Sequence, residues 1–238
     1  MTNLGDKVNP HISYDKMKGV TGRKLPMSFI DLSHTIEENM PVFPGTGTPR
    51  ITDGTSLATD GFLEKKITLF SHTGTHLDAP AHLIAGGKTL DQLPVGHFTG
   101  TACILDVRDL TGPDISVEHL EFRLPRNRAC DFYLLHTGWS RYWGSPDYFK
   151  DFPVLTLPAA RLLASLRPKG VGLDAISIDA VQGTDLSVHK IFLGQDTIIV
   201  ENLKNLDRLP KEPFTFFCFP LKLRDADGSP ARAVAEVI

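Results

Sequence analysis

Apolar and β-branched residues along this chain gather in short runs separated by Pro- and Gly-rich stretches, the spacing of a strand-rich fold. Phe29-Ile30-Asp31-Leu32-Ser33 is the first strand-like run. It leads into residues 38–50, where Pro41, Pro44, Pro49 and two glycines enforce extended and turn conformations. Residues 66–70 and 101–107 read as strands, and residues 116–122 as a short helix. The run Phe132-Tyr133-Leu134-Leu135-His136 is continuously apolar, the pattern of a strand buried on both faces. Thr156 is placed to cap a helix with Pro158 in its first turn, running to Leu166 with Gly170 beyond its end. Residues 171–178 predict a strand, Ser187 caps a short helix to Leu193, and residues 197–200, 214–219 and 231–237 complete the strands. Strand–helix alternation from about residue 130 to 220, after a β-rich first part, predicts a mixed α/β fold. No repeat, low-complexity tract or linker divides the chain, which predicts one domain over residues 27–238 after a polar extension, residues 1–26.

Composition narrows the classes. With 238 residues, 41% apolar and 22% charged, the chain has the make-up of a globular protein with a substantial core. A net charge of −3 leaves no basic footprint, so nucleic acid is not expected as a partner. No segment has the length of a membrane span, and residues 1–26 contain no apolar core of a secretory signal, so a cytoplasmic protein without membrane contact is expected. Cys103, Cys130 and Cys218 are odd in number, widely spaced and outside any Cys-x-x-Cys pattern; they read as reduced, buried fillers.

The chemistry concentrates in one stretch. His72, His76, Asp78 and His82 fall within eleven positions, and three of the nine histidines of the chain lie there. Neutral imidazole and carboxylate suit zinc and other first-row divalent ions. Gly74 and Pro80 rule out a long helix, so a loop with one helical turn is expected, bringing His72 and His76 to one side of an ion with Asp78 as a third donor. His82 reads either as a fourth ligand or as a proton carrier beside the metal. The stretch lacks His-Glu-x-x-His, which argues against a zincin, and Gly86-Gly87-Lys88-Thr89 is no phosphate loop because its first glycine would have to occupy the place of His82. No Gly-x-Ser-x-Gly elbow supports a nucleophilic serine. Later in the chain, Glu201 ends the apolar run Ile198-Ile199-Val200, where a carboxylate is costly unless paired or metal-bound. On spacing alone a salt-bridged or capping carboxylate is the preferred reading of Glu201, and a polar-face helix residue is still more strongly the reading of His189. Phe43, in its proline-rich loop, reads as a pocket wall or as loop packing.

The run from His72 to His82 matches every fixed position of His-x-Gly-Thr-His-x-Asp-x-Pro-x-His, and so the chain resembles the metal-dependent cyclase-family hydrolases, whose best-known members are bacterial kynurenine formamidases (arylformamidases). Asp31-Leu32-Ser33 with Pro41-Val42-Phe43-Pro44, His136-Thr137-Gly138-Trp139, residues 172–179, His189 and Glu201-Asn202-Leu203 extend the resemblance over residues 29–238. The resemblance implies a swivelling β/β/α-type fold assembled as a homodimer or homotetramer. It implies one ion on His72, His76 and Asp78, and a second shared by Asp78 and Glu201 with His189 as its nitrogen ligand. His82 would be the general acid/base. Where the formamidases carry a tryptophan against the substrate ring, this chain has Phe43, which keeps an aromatic wall without the indole N–H.

One or two Zn²⁺ or Mn²⁺ ions per chain would acidify a water to hydroxide and polarise a carbonyl, and His82 would protonate the departing amine. The expected function is hydrolysis of a small-molecule substrate of the aryl amide class, N-formylkynurenine-like. A cyclic amide such as isatin, or a dienelactone-like lactone, is the alternative substrate class. A non-catalytic metal-binding protein is the third reading, disfavoured because structural zinc sites are closed and often cysteine-rich.

Overall fold

The computed structural model describes residues 27–125, 130–183 and 185–237; the extension expected at residues 1–26 lies outside them. The elements in order are β1 (Ser28–Asp31), β2 (Arg50–Thr55), α1 (Leu57–Asp60), β3 (Glu64–Thr68), β4 (His76–Asp78), β5 (Thr99–Asp106), β6 (Asp114–Ile115), α2 (Val117–Glu121), β7 (Phe132–His136), β8 (Val154–Leu155), α3 (Leu157–Ser165), β9 (Gly170–Leu173), α4 (Ser187–Leu193), β10 (Ile198–Glu201), β11 (Phe214–Pro220) and β12 (Gly228–Val237). The main sheet runs β1-β12-β11-β5-β7-β9-β10-β4, and β4 pairs back onto β12. Seven strands therefore close into a barrel-like ring, with β1 as an outer edge. β2 and β3 form a separate hairpin.

The central strands β5, β7, β9 and β10 are parallel, and their neighbours antiparallel. Parallel strands need crossovers, and α3 and α4 supply two of them. Both faces of these strands are covered, which is why β7 is buried at every position. Alternation along β7 sends Phe132 and Leu134 into the ring, where Leu77, Val200, Phe216 and Ala235 meet them. Tyr133 and Leu135 point outward into a second apolar layer with Leu163 of α3 and Phe192 of α4. Truncating a fully buried leucine such as Leu134 to alanine would cost about 2–5 kcal/mol.

Thr156 caps α3 as expected, its hydroxyl accepting from the Ala159 N–H, with Pro158 in the first turn. Other expectations need correction. The strand expected over residues 171–178 ends at Leu173, because Asp174 turns the chain inward and accepts from both the N–H and the hydroxyl of Thr137 (2.8 and 2.6 Å). Ser187 does not cap α4: Leu186 holds that position at φ 48°, and the first N–H groups of the helix go elsewhere. The last strand begins at Gly228, earlier than residue 231, because β4 offers those residues a partner. Cys103 and Cys130 are not reduced fillers; parallel pairing of β5 and β7 brings their Cα atoms to 6.1 Å and their sulfurs are bonded, leaving Cys218 as a buried thiol. Cysteine usage therefore gives no support for a reducing compartment. Among the described residues no helix is long and apolar enough to cross a membrane.

Candidate metal centre

The histidine stretch is a loop, a strand and a short turn, in place of the helical turn expected. Gly74 sits at φ +66°, where a side chain is strained, and it turns the chain out of the loop and into β4. β4 then runs between β10 and β12, so His76 and Asp78 share one face while Leu77 enters the ring. Register places Glu201 directly opposite His76, and Gly228 opposite Asp78. A 3₁₀ turn over Pro80–His82 returns His82 to the same side. His189 arrives from the first turn of α4.

Pairing and packing thus bring His72, His76, Asp78, His189 and Glu201 into one cluster. His76, Asp78, His189 and Glu201 are buried. His76 Nε2 lies 3.2 Å from Asp78 Oδ1 and 3.5 Å from Glu201 Oε2. His189 Nε2 lies 3.6 Å from Asp78 Oδ2 and 3.3 Å from Glu201 Oε1. The other ring nitrogens are engaged outside the cluster: His76 Nδ1 contacts the Gly74 carbonyl at 2.8 Å, and His189 Nδ1 contacts Asp179 Oδ2 at 2.6 Å. Those contacts occupy both Nδ1 atoms, so each ring presents its Nε2 to the two carboxylates. His72 stands at the rim, with Nδ1 at 2.6 Å from Asp78 Oδ1.

Several residues that the motif does not contain hold this arrangement. Asp179 accepts from the N–H groups of Val188 and His189 as well as from the His189 ring, so it caps α4 and orients a donor at once. Asn202 donates to the Gly74 carbonyl, and its own side-chain oxygen accepts from the Tyr148 hydroxyl at 2.8 Å. The Ile178 N–H fixes Glu201 Oε1. Asp227 accepts from Ser71 and contacts both His72 and His82. Sequence reading missed Asp227 entirely, since an Asp-Gly pair carries only a turn signal.

The electrostatics suit a bound cation. Three sets of donors each converge within 4.8 Å: His72/His76/Asp78 and Asp78/His189/Glu201, which share Asp78, and the half-buried His72/His82/Asp227 at the rim. Asp78 Oδ2 is buried and makes no hydrogen bond among the described residues, with His189 Nε2 3.6 Å away. Such an atom costs roughly 1–3 kcal/mol or more unless something positive meets it. Burial pulls the imidazole of His189 down, but Asp179 and Glu201 outweigh it and raise it to about 10. Burial likewise opposes ionisation of His72, which Asp78 and Asp227 raise to about 9. Asp78 resists burial and falls well below the carboxylate range, chiefly through His72. Protons here do the neutralising that a divalent ion would do, and an oxygen–imidazole set without sulfur fits a first-row ion.

His82 differs from the others. Burial depresses its basicity, and of the three donor sets it belongs only to the half-buried His72/His82/Asp227, outside the two that contain Asp78. It borders a cavity of about 440 Å³ above the cluster, which Phe43, Phe70, Ile176 and Leu186 line on the apolar side. Phe43 is therefore a cavity wall. A larger hollow of about 580 Å³ lies beside α2, but none of the converging donor sets falls on it.

Comparison with known proteins agrees with this geometry. A kynurenine formamidase of Salinibacter ruber is 31% identical, over 87% of this chain and 97% of that protein. Isatin hydrolase A from Labrenzia aggregata, solved with benzyl benzoate, superimposes with a TM-score of 0.80 at 25% identity, covering 89% of this chain and 94% of that one. A solved potential metal-dependent hydrolase with cyclase activity gives a TM-score of 0.74 at 28% identity, covering 89% and 98%. The sequence model described as putative cyclase matches residues 30–180, which contain the whole His72–His82 stretch. A match over more than half its length, on the fold and cluster described above, makes this chain a member of the cyclase family.

Proposed function

We propose that this chain hydrolyses the C–N bond of a small aryl amide, of the arylformamide or N-formylkynurenine kind, at a centre of one or two divalent ions. It is an enzyme of the hydrolase class acting on non-peptide C–N bonds, the class to which its kynurenine formamidase and isatin hydrolase relatives are assigned by name. The observation that carries the reading is the buried pair Asp78 and Glu201 facing the Nε2 atoms of His76 and His189, with Asp78 Oδ2 making no hydrogen bond among the described residues, below a cavity of aryl size. Zn²⁺ or Mn²⁺ held there supplies a Lewis acid and an acidified water at neutral pH.

The residues of the chain do the rest. His76 and His189 are locked in one tautomer by Gly74 and Asp179, so they present donors without reorganising. Phe43 and Phe70 line the cavity and would pack against the aromatic ring of the substrate. His82 is kept neutral by burial, so at pH 7 it can accept a proton from the attacking water and return it to the departing amine nitrogen. A cyclic amide is the second substrate reading, favoured by the isatin hydrolase neighbour and by Phe43 standing where an indole N–H is lost. The exposed apolar side chains of the β2–β3 hairpin and its flanks, Phe62, Leu63 and Ile67, support self-association as a homodimer or homotetramer.

The test is turnover of N-formylkynurenine, isatin and a simple lactone by protein of defined metal content, with His82→Ala beside wild type. Wild type should prefer one of the two amides. His82→Ala should keep its metal while kcat falls about 10²- to 10⁴-fold, more for amides than for esters with good leaving groups. Loss of metal in parallel with His76→Ala would make His82 a ligand and remove the acid/base role.

A further inference from the structure

We propose that Asp227 is a positioning residue that serves both His72 and His82, tying a metal ligand to the acid/base through one carboxylate; the inference rests on the roles proposed above for those two histidines. Asp227 lies just before β12, and its backbone is pinned: its carbonyl accepts from the Ala79 N–H at 2.8 Å, and Gly228 next to it pairs with Asp78. Its side chain is equally constrained. Oδ1 accepts from the Ser71 hydroxyl at 3.0 Å, while Oδ2 lies 3.0 Å from His72 Nε2 and 3.3 Å from His82 Nδ1. The two rings stand 4.1 Å apart, so one oxygen reaches both.

The two contacts have different consequences. By accepting from His72 Nε2–H, Asp227 leaves Nδ1 directed at Asp78 Oδ1, 2.6 Å away, which is the nitrogen that belongs to the buried cluster. This is the carboxylate–histidine arrangement that orients a metal-binding imidazole and makes it a better donor. By accepting from His82 Nδ1–H, the same oxygen sets the tautomer whose Nε2 is free for proton transfer. Asp179 does the first job for His189, but it touches no acid/base. Asp227 alone among these outer carboxylates joins the two functions. Its side chain is 44% exposed, so substitution there leaves the core intact.

Asp227→Asn keeps the size of the side chain but has one acceptor oxygen where two rings and a serine ask for two. On one preparation, metal affinity would be measured by chelator competition, metal stoichiometry by elemental analysis, and kcat at saturating metal on an aryl formamide and an activated aryl ester. Asp227→Asn should bind the wild-type number of ions about 10–100-fold more weakly. At saturating metal its kcat should drop more for the amide than for the ester, and adding Asp227→Asn to His82→Ala should cost little further rate. Asp227→Glu should recover part of both losses. Unchanged affinity and rate in Asp227→Asn would overturn the proposal. So would a full multiplicative loss in the double variant, or the loss of one whole ion, which would make Asp227 a ligand with His72 and His82. A wild-type rate in His82→Ala is a separate failure: it withdraws the acid/base reading and the His82 half of this inference, while the affinity of Asp227→Asn still judges the His72 half.

Discussion

Gly228→Ala probes the centre without removing any donor. A Cβ on Gly228 would lie 2.5 Å from Cε1, 2.7 Å from Nε2 and 3.0 Å from Nδ1 of His72. Non-bonded carbons rest about 3.5–4.0 Å apart, so the imidazole must retreat by roughly 1 Å. Binding geometries tolerate only about 0.5 Å, so His72 should leave its place between Asp78 and Asp227. Disturbing even an outer-shell partner of a metal costs about 10–100-fold in affinity, and displacing a donor should cost at least that, about 1.4–2.7 kcal/mol. The backbone works in the opposite direction, since alanine in a strand is favoured over glycine by about 0.5–1 kcal/mol. A weaker centre in a protein that still folds is therefore a local steric effect. Chelator competition with zinc, paired with thermal unfolding of the chelator-treated protein, measures both quantities. Gly96→Ala is the control, because a Cβ there meets nothing within 4 Å. Metal affinity within twofold of wild type in Gly228→Ala would refute the role given to this contact and weaken the case for His72 as a donor.

Glu201→Gln should bind at most one ion where wild type binds about two, with loss of activity; wild-type saturation at a single ion would leave His189 and Glu201 with structural roles. Phe43→Ala should raise KM for aryl amides far more than for small aliphatic lactones, and equal effects would assign Phe43 to loop packing. In chelator-treated protein the imidazoles of His189 and His72, raised to about 10 and about 9 from an unfolded value near 6.5, make the folded state bind more protons than the unfolded one. Their contribution is complete below pH 6.5 and disappears as pH rises through 9 and 10, so the unfolding temperature should fall from pH 7 to 10; a flat or rising profile would contradict it. Thiol titration of denatured, unreduced protein should find one thiol per chain, Cys218, and a count of three would remove the Cys103–Cys130 bond.

Local pattern carried the strands and caps far. β7 was legible because a strand covered on both faces must be apolar throughout, and α3 because Thr156 and Pro158 act within one turn of where they stand. The donors from His72 to His82 were legible because one loop and one strand hold them, so their distance in sequence is close to their distance in space. Asp227 was not, because it lies 155 residues from His72 and meets it only when β12 pairs with β4. Closure of the ring, the register that sets Glu201 against His76, and the Cys103–Cys130 bond share that origin. Each joins segments whose separation along the chain leaves no periodicity or spacing to read, and each follows from which strands neighbour one another. Composition and capping act over a few residues, whereas strand pairing acts across the whole chain and decides where the chemistry converges.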